Sequence, residues 1–178
     1  MRIIAGQFRS RKLQSVSGLA VRPTPDRLRE ALFNVLAPRM EGSVFVDAYA
    51  GSGVVGFEAV SRGAARVIFI ENNQAALDVL RRNALHLGVA REITIVRGRA
   101  STHLPDYAAD LVFLDPPYKQ TDEYETSLKA ARLLPGGYVI AQHATSFRPP
   151  ENCGNLHSFR HLRQGDNCLT FYRASDEF

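Results

Sequence analysis

Five short runs dominated by apolar residues lie between residues 44 and 142, and segments of helical period separate most of them. The runs are Val44–Ala48, Val67–Ile70, Ile93–Val96, Asp110–Leu114 and Tyr138–Gln142. Each has the length and continuity of a strand buried on both faces. Val54–Arg62 is predicted as a helix closed by Gly63, and Gln74–Leu87 as a helix with Leu77, Leu80 and Ala84 on one face, closed by Gly88. Asp122–Leu133 has helical spacing and is expected to break at Pro135-Gly136-Gly137. Upstream, Thr24 is expected to cap a helix with Pro25 in its first position. Leu28, Ala31, Leu32, Val35 and Leu36 form its apolar face, and Pro38 is expected to stop it. Downstream, Leu156–His161 and Cys168–Tyr172 flank Gln164-Gly165-Asp166-Asn167, a hairpin signal. The pattern predicts an α/β fold: a mostly parallel seven-stranded sheet, helices on both faces, and an antiparallel last strand.

At 178 residues the chain is expected to be one domain, residues 25–178, preceded by a basic arm over residues 1–24. Hydrophobic residues at 45% and charged residues at 22% exclude intrinsic disorder and collagen-like or low-complexity classes. No apolar run reaches the ~18–20 residues of a membrane helix, and the first residues lack the apolar core of a secretory signal. Cys153 and Cys168 fit no metal spacing, nor do the five histidines, so reduced thiols, a cytoplasmic location and no metal are expected. No heptad or long edge strand demands a partner, so a monomer is expected.

The net charge of +4 is unevenly spread. Residues 1–29 carry Arg2, Arg9, Arg11, Lys12, Arg22, Arg27 and Arg29 against the single acid Asp26. The remaining residues carry 15 basic and 17 acidic side chains. Arginine forks onto phosphate and stacks on bases, so an anionic polymer, nucleic acid first, is the expected partner of the arm.

In a parallel α/β sheet ligands bind beyond the carboxyl ends of the strands. The first such stretch is Asp47-Ala48-Tyr49-Ala50-Gly51-Ser52-Gly53-Val54-Val55-Gly56, which matches the dinucleotide glycine pattern. An acid at Asp47 would repel a pyrophosphate and welcome a cationic sulfonium with an ammonium group. Glu71, 24 residues on, ends the second strand, where a carboxylate can accept ribose hydroxyls. The fourth strand runs into Asp115-Pro116-Pro117-Tyr118. The prolines stiffen the chain and remove two N–H donors, leaving the Asp115 carboxylate and the Pro116 carbonyl as acceptors. That pair fits an exocyclic amine with two N–H donors, and Tyr118 can stack on the base.

These strings resemble the S-adenosylmethionine-dependent methyltransferases that act on exocyclic amines, which implies a Rossmann-like class I methyltransferase fold. Three further stretches resemble the RsmD family of 16S rRNA (guanine-N2) methyltransferases. They are Arg2-Ile3-Ile4-Ala5-Gly6 with Arg11-Lys12-Leu13, then Arg22-Pro23-Thr24 with Asp26–Asn34, then Ala50–Gly53 with Gly56–Ala59 and Ser61–Ala64. The resemblance implies that Asp47, Ala50, Gly51, Ser52 and Gly53 hold the methionine end of S-adenosylmethionine. It places Glu71 on the ribose and Asn72 beside the adenine. It implies that Asp115, Pro116, Pro117 and Tyr118 present the guanine amine. Arg2, Arg9, Arg11, Lys12, Arg22, Thr24 and Arg27 would meet 16S rRNA of the small ribosomal subunit, with the target base flipped from its stack. Arg99 and Ala100 stand near the adenine position, where the family often has a small polar or acidic residue. Arg99 accepts no hydrogen bond, so backbone is expected to read the adenine there. Gln142 stands where the family often has Glu. An adenine-N6 methyltransferase, a non-catalytic RNA-binding module and a nicotinamide dehydrogenase are the competing readings.

Overall fold

The computed structural model describes residues 1–18 and 24–175. Helix α1 spans Asp26–Met40, strand β1 Val44–Asp47, helix α2 Val54–Ser61, β2 Arg66–Glu71 and α3 Gln74–Leu87. Then come β3 Ile93–Arg97, the short helix α4 Ala100–His103 with a 3-10 turn over Leu104–Asp106, and β4 Ala108–Leu114. Helix α5 spans Asp122–Ala130, β5 Arg132–Ala144, β6 Asn152–Cys153, β7 Leu156–Gln164 and β8 Asn167–Ala174. The strands form one eight-stranded sheet in the order β3-β2-β1-β4-β5-β8-β7-β6. The expected count of seven misses β6, a two-residue edge strand too short to leave a pattern. β1 to β5 run parallel, and β8 enters antiparallel between β5 and β7. The chain leaves β1 toward β2 on one side and returns to β4 on the other, so the switch point lies between the ends of β1 and β4.

Period-two alternation divides the core. Phe45, Val67, Phe69, Leu111 and Phe113 face α1, α2 and α3, while Val46, Ile68, Ile70, Val112 and Leu114 face α4 and α5. Every residue of α2 is buried, as expected of a helix apolar all round. α3 starts at Asn73, whose side chain accepts from the Ala76 N–H at 3.0 Å, and ends at Gly88 in the left-handed region.

Three expectations about local structure are corrected. Thr24 does not cap α1: its hydroxyl donates to Gln142 Oε1 at 3.2 Å, and no side chain caps the helix. Pro38 does not stop α1. The helix continues to Met40, which is buried, and Ser43 Oγ donates to the Met40 carbonyl at 2.8 Å. Burial of Met40 outweighs the one hydrogen bond that a proline in the last turn removes. Pro135-Gly136-Gly137 does not separate a helix from a strand. β5 begins at Arg132, and the prolyl-glycyl segment is a bulge opposite Asp110, with Ala109 facing Leu133 and Leu111 facing Tyr138. A side chain at Gly137 would run into the carbonyls of Asp110 and Leu134.

Residues 1–14 are docked on the core. Arg2 bridges Lys12 in an antiparallel pair, and Ile3 and Leu13 are buried. The Glu58 carboxylate accepts the N–H groups of Ile4 and Ala5 at 2.9 and 3.0 Å. Ser61 Oγ donates to the Ala5 carbonyl at 2.6 Å and accepts the Phe8 N–H at 2.9 Å. Asn83 holds Gln14 through the Gln14 N–H at 2.8 Å and the Gln14 carbonyl at 3.1 Å.

Candidate active site

The carboxyl ends of β1, β2 and β4 bring the predicted acids to one rim. Asp47 is buried, and its Oδ2 accepts the N–H of Gly56, the third residue of α2, at 3.0 Å. That bond satisfies a helix-start donor and fixes the carboxylate beneath the glycine loop. Gly51 and Gly53 both sit in the left-handed region, at φ 55° and 87°. A side chain at Gly53 would run into Leu80 and Phe57, so this glycine serves close packing. A Cβ at Gly51 would meet nothing within 4 Å, because that side of the loop is open.

Glu71 closes the loop from β2. Its Oε2 accepts the Gly51 N–H at 2.7 Å, and its Oε1 accepts the N–H groups of Asn72 and Asn73 at 2.9 and 2.8 Å. A carboxylate has about four acceptor sites, so these three bonds leave little spare capacity for both ribose hydroxyls. Glu71 is first a clamp between the β1 and β2 loops.

At the end of β4, Asp115 is open to the same hollow as Asp47. Enclosure by protein pushes the Asp115 carboxyl up to about 7. The Asp47 carboxyl also rises to about 7, first from burial; the Gly56 N–H opposes the rise, and the charges of Asp115 and Glu71 add to it. Pro116 is buried, while Pro117 and Tyr118 are exposed. The Pro117 carbonyl accepts the Gln120 N–H at 2.8 Å, closing a turn. Tyr118 is 56% exposed, and its hydroxyl donates to Asn167 Oδ1 at 3.2 Å, which holds the ring at the rim with area free for stacking.

Two adjoining hollows fill the switch point. One, about 220 Å³, is lined by Thr24, Asp47, Ala50, Gly51, Ser52 and Asp115. The other, about 580 Å³, is lined by Glu71, Asn72, Arg99, Ala100, Pro117 and Glu123. Tyr49 lines both. Asp47, Ala50, Gly51, Ser52, Glu71, Asn72, Arg99, Ala100, Asp115 and Pro117 therefore converge on the two hollows, while Gly53 lies beneath the loop, Pro116 is buried and Tyr118 stands at the rim, none of the three in either lining. The sequence reading missed Glu123, which lines the larger hollow and joins Tyr49 to Arg99. Tyr49 Oη donates to Glu123 Oε2 at 2.9 Å and lies 2.7 Å from Ser127 Oγ, and Arg99 pairs with Glu123 Oε1 at 2.7 Å. Acids at the start of a helix such as α5 are common for electrostatic reasons alone, so Glu123 carried no separate signal.

The expected RNA-facing residues divide. Arg2, Arg9 and Arg27 share a shallow hollow with Asp26 and Glu30, and Arg11 and Lys12 are exposed nearby in sequence. Thr24 is buried and belongs to the cleft rather than the outer surface. Arg22 lies outside the described residues. Arg29, counted in the basic excess, is fully buried and bound to Asp26, Glu58 and the Arg2 carbonyl, so its charge is not available to a partner. No helix among the described residues is long and apolar enough to cross a membrane.

The site's donor set discriminates between cofactors. Four carboxylates, of Asp47, Glu71, Asp115 and Glu123, face the hollows and none of the glycine-loop residues is cationic, which suits a sulfonium and hydroxyl groups and disfavours a pyrophosphate.

Comparison with known proteins agrees. A family model described as Conserved hypothetical protein 95 matches residues 1–173. YlbH of Bacillus subtilis is 31% identical over 97% of this chain and 98% of its own. The ribosomal RNA small subunit methyltransferase D of Haemophilus influenzae is 40% identical over 66% of this chain, a match spanning 64% of that protein. The solved structure of yhhF from Escherichia coli superposes with a TM-score of 0.85 at 31% identity, covering 99% of both chains. An RNA methyltransferase of Salinibacter ruber in complex with S-adenosyl-L-homocysteine shares the fold, with a TM-score of 0.69 at 21% identity over 88% of this chain and 96% of that one. With a match running nearly end to end, the chain belongs to the Conserved hypothetical protein 95 family, the RsmD family that its sequence resembles.

Proposed function

We propose that this protein transfers a methyl group from S-adenosylmethionine to the N2 amine of a guanine in 16S rRNA of the small ribosomal subunit. The observation that carries the reading is the meeting of Asp47, the open Gly51 loop and Asp115 in one hollow, beside the hollow of Glu71 and Asn72. The relatives named for small-subunit ribosomal RNA support the substrate class. Asp47 and the loop 50–53 would hold the cationic methionine end, with Glu71 and Asn72 on the nucleoside. When bound, the cofactor supplies an electrophilic methyl group on a sulfonium.

The chain's own residues do the rest by positioning. The Asp115 carboxylate and the Pro116 carbonyl accept the two N–H groups of the target amine, which turns the nitrogen lone pair out of conjugation with the base. Neither Pro116 nor Pro117 carries an N–H to compete for those acceptors. Tyr118 offers a ring to the flipped base, and Thr24 lines the same hollow. No covalent intermediate with the protein is required. The basic residues of the docked N-terminal segment would hold the surrounding RNA as a monomeric protein meets the subunit.

Two measurements test this reading. Calorimetry is expected to show binding of S-adenosylmethionine and none of NAD. Labelled methyl groups are expected in rRNA of undermethylated small subunits and not in duplex DNA. Binding of NAD alone, or label in DNA alone, would overturn the proposal; label in protein-free 16S rRNA as fast as in subunits would overturn the subunit as the substrate form.

A further inference from the structure

Beyond the catalytic loop, the same rim of the sheet carries another hollow, of about 470 Å³. β5 ends at Ala144, and its antiparallel pairing with Asn167 sets the start of β8 on this rim, with the Gly165-Asp166 tip of the β7–β8 hairpin beside it. The catalytic loop reaches that point through the hydrogen bond from Tyr118 to Asn167. Alternation along the hairpin puts His161 and Arg163 on one face with their cross-strand partners Thr170 and Cys168. His143 and Arg148 complete the wall.

The hollow is basic. Arg148 and Arg163 are exposed, and among the described residues neither has a carboxylate within 4.0 Å. Arg2, Arg29, Arg62, Arg81 and Arg99 all have one. Glu151 is the one acid in the lining. The Arg163 Nε donates to the Gly165 carbonyl at 3.2 Å, which ties its guanidinium to the hairpin tip. The rear wall is ordered by a chain of hydrogen bonds. His143 Nδ1 lies 2.9 Å from the Ala144 carbonyl and so carries its proton. Burial holds the His143 ring toward its neutral form, so its Nε2 accepts from the Thr170 hydroxyl at 2.8 Å. Thr170 Oγ1 in turn takes the N–H of His161 Nδ1 at 3.1 Å, which leaves His161 Nε2 as the free ring nitrogen.

We propose that this hollow seats a backbone phosphate of the RNA strand that flanks the target nucleotide, with Arg148 and Arg163 as its ligands. The inference rests on the RNA-methyltransferase reading above. A base drawn out of its stack needs its strand held close to the flipped nucleotide. The N-terminal segment packs on the α1 face of the sheet, through Ile3 and Leu13, and offers Arg2 and Arg9 there beside Arg27 of α1. The hairpin hollow lies against Phe147 and Tyr124, on the α5 face. Guanidinium groups on both faces of the Asp115 loop, those of Arg9 and Arg27 on one and of Arg148 and Arg163 on the other, would hold the strand on each side of the bound base. Phosphate contacts of this kind position RNA without reading its sequence.

The test is the salt dependence of RNA binding by Arg148→Ala/Arg163→Ala, measured with small-subunit RNA. Its slope of log affinity against log salt is expected to fall by roughly 0.7–0.9, the value for one lost phosphate contact, with affinity down about tenfold or more at low salt. Calorimetric affinity for S-adenosylmethionine and kcat at saturating RNA stay at the level of the unsubstituted protein. Arg66→Ala/Arg91→Ala, at the start of β2 and just before β3, removes the same charge from the opposite edge and should leave the slope nearly unchanged. An unchanged slope in the Arg148/Arg163 variant overturns this site alone, as does an equal loss in the control pair. Failure of the unsubstituted protein to bind or methylate RNA overturns the functional proposal with it.

Discussion

Asp115→Asn is expected to lower methyl transfer by at least about 10²-fold, the scale for removing one positioned group that stabilises a transition state. The substitution keeps the shape of the side chain and replaces one carboxylate oxygen with an NH₂ donor, which faces the donors of the target amine. Because the residue acts on the amine, the loss should appear in kcat at saturating RNA, while affinity for RNA changes little. Acidity gives the prediction a second arm. With the Asp115 and Asp47 carboxyls both near 7, the free protein is partly protonated at neutral pH. The acceptor role needs the ionised form, so kcat/KM should rise between about pH 6 and pH 8. A cationic cofactor favours the ionised acids, so its binding should release protons and tighten over the same range. Stability runs the opposite way. A carboxyl raised in the folded state stabilises fully below its ordinary value of 3.8, and that contribution is lost as pH climbs toward 7. Asp115→Asn should therefore melt above the unsubstituted protein at pH 8, by on the order of a few °C, with the gap closing below about pH 4. A variant with undiminished kcat would remove Asp115 from the proposed mechanism.

Glu58→Ala is expected to destabilise the fold by about 3–5 kcal/mol, the range for removing one partner of a buried ion pair. Glu58 and Arg29 are both fully buried. Arg29 Nε lies 3.7 Å from Glu58 Oε2, and Arg62 Nε donates to Glu58 Oε1 at 2.8 Å. Burial lowers the Arg29 pKa, and the charges of Glu58 and Asp26 counter that. Without Glu58, Arg29 keeps the Arg2 carbonyl and a single carboxylate, that of Asp26, whose side chain is 56% exposed. The same substitution frees the N–H groups of Ile4 and Ala5. Chemical denaturation should show the loss, and amide exchange at Ile4 and Ala5 should accelerate beyond the change in global stability. Asp26→Asn, on the exposed side of the cluster, should cost under about 1 kcal/mol. A Glu58→Ala protein of undiminished stability would mean that apolar contacts and the hydrogen bonds of Ser61 and Asn83 hold the N-terminal segment without the Glu58 carboxylate.

The contrast between these two sites marks what the sequence discloses. Asp47, Glu71 and Asp115 were legible because each ends or follows a strand, and the strands announce themselves as short apolar runs, whereas Glu123 on α5 was not. Glu58 was not legible: it sits in the middle of the apolar helix α2, and its backbone partners lie more than fifty residues away. For the same reason residues 1–14 read as a charged arm, although Ile3, Leu13 and the Ser61 contacts fasten them to the core. Helix α4 has four residues, too few for a period. The first residues of β5 read as the end of a helix because Ala130, Ala131, Arg132 and Leu133 are all good helix formers, and a bulge holding Pro135 and two glycines reads as a break. Glu71 was found as a ligand candidate, but its three backbone partners depend on loop geometry that spacing does not encode.

The central claim is the identity of the reaction, and nucleoside mass spectrometry of the product tests it most directly. Undermethylated small subunits would be incubated with the protein and S-adenosylmethionine, and their 16S rRNA digested to nucleosides. The proposal predicts N2-methylguanosine, formed at least about 10²-fold more slowly when Asp115→Asn replaces the unsubstituted protein. N6-methyladenosine would contradict it, because the acceptor pair of Asp115 and Pro116 would then be serving the other purine amine.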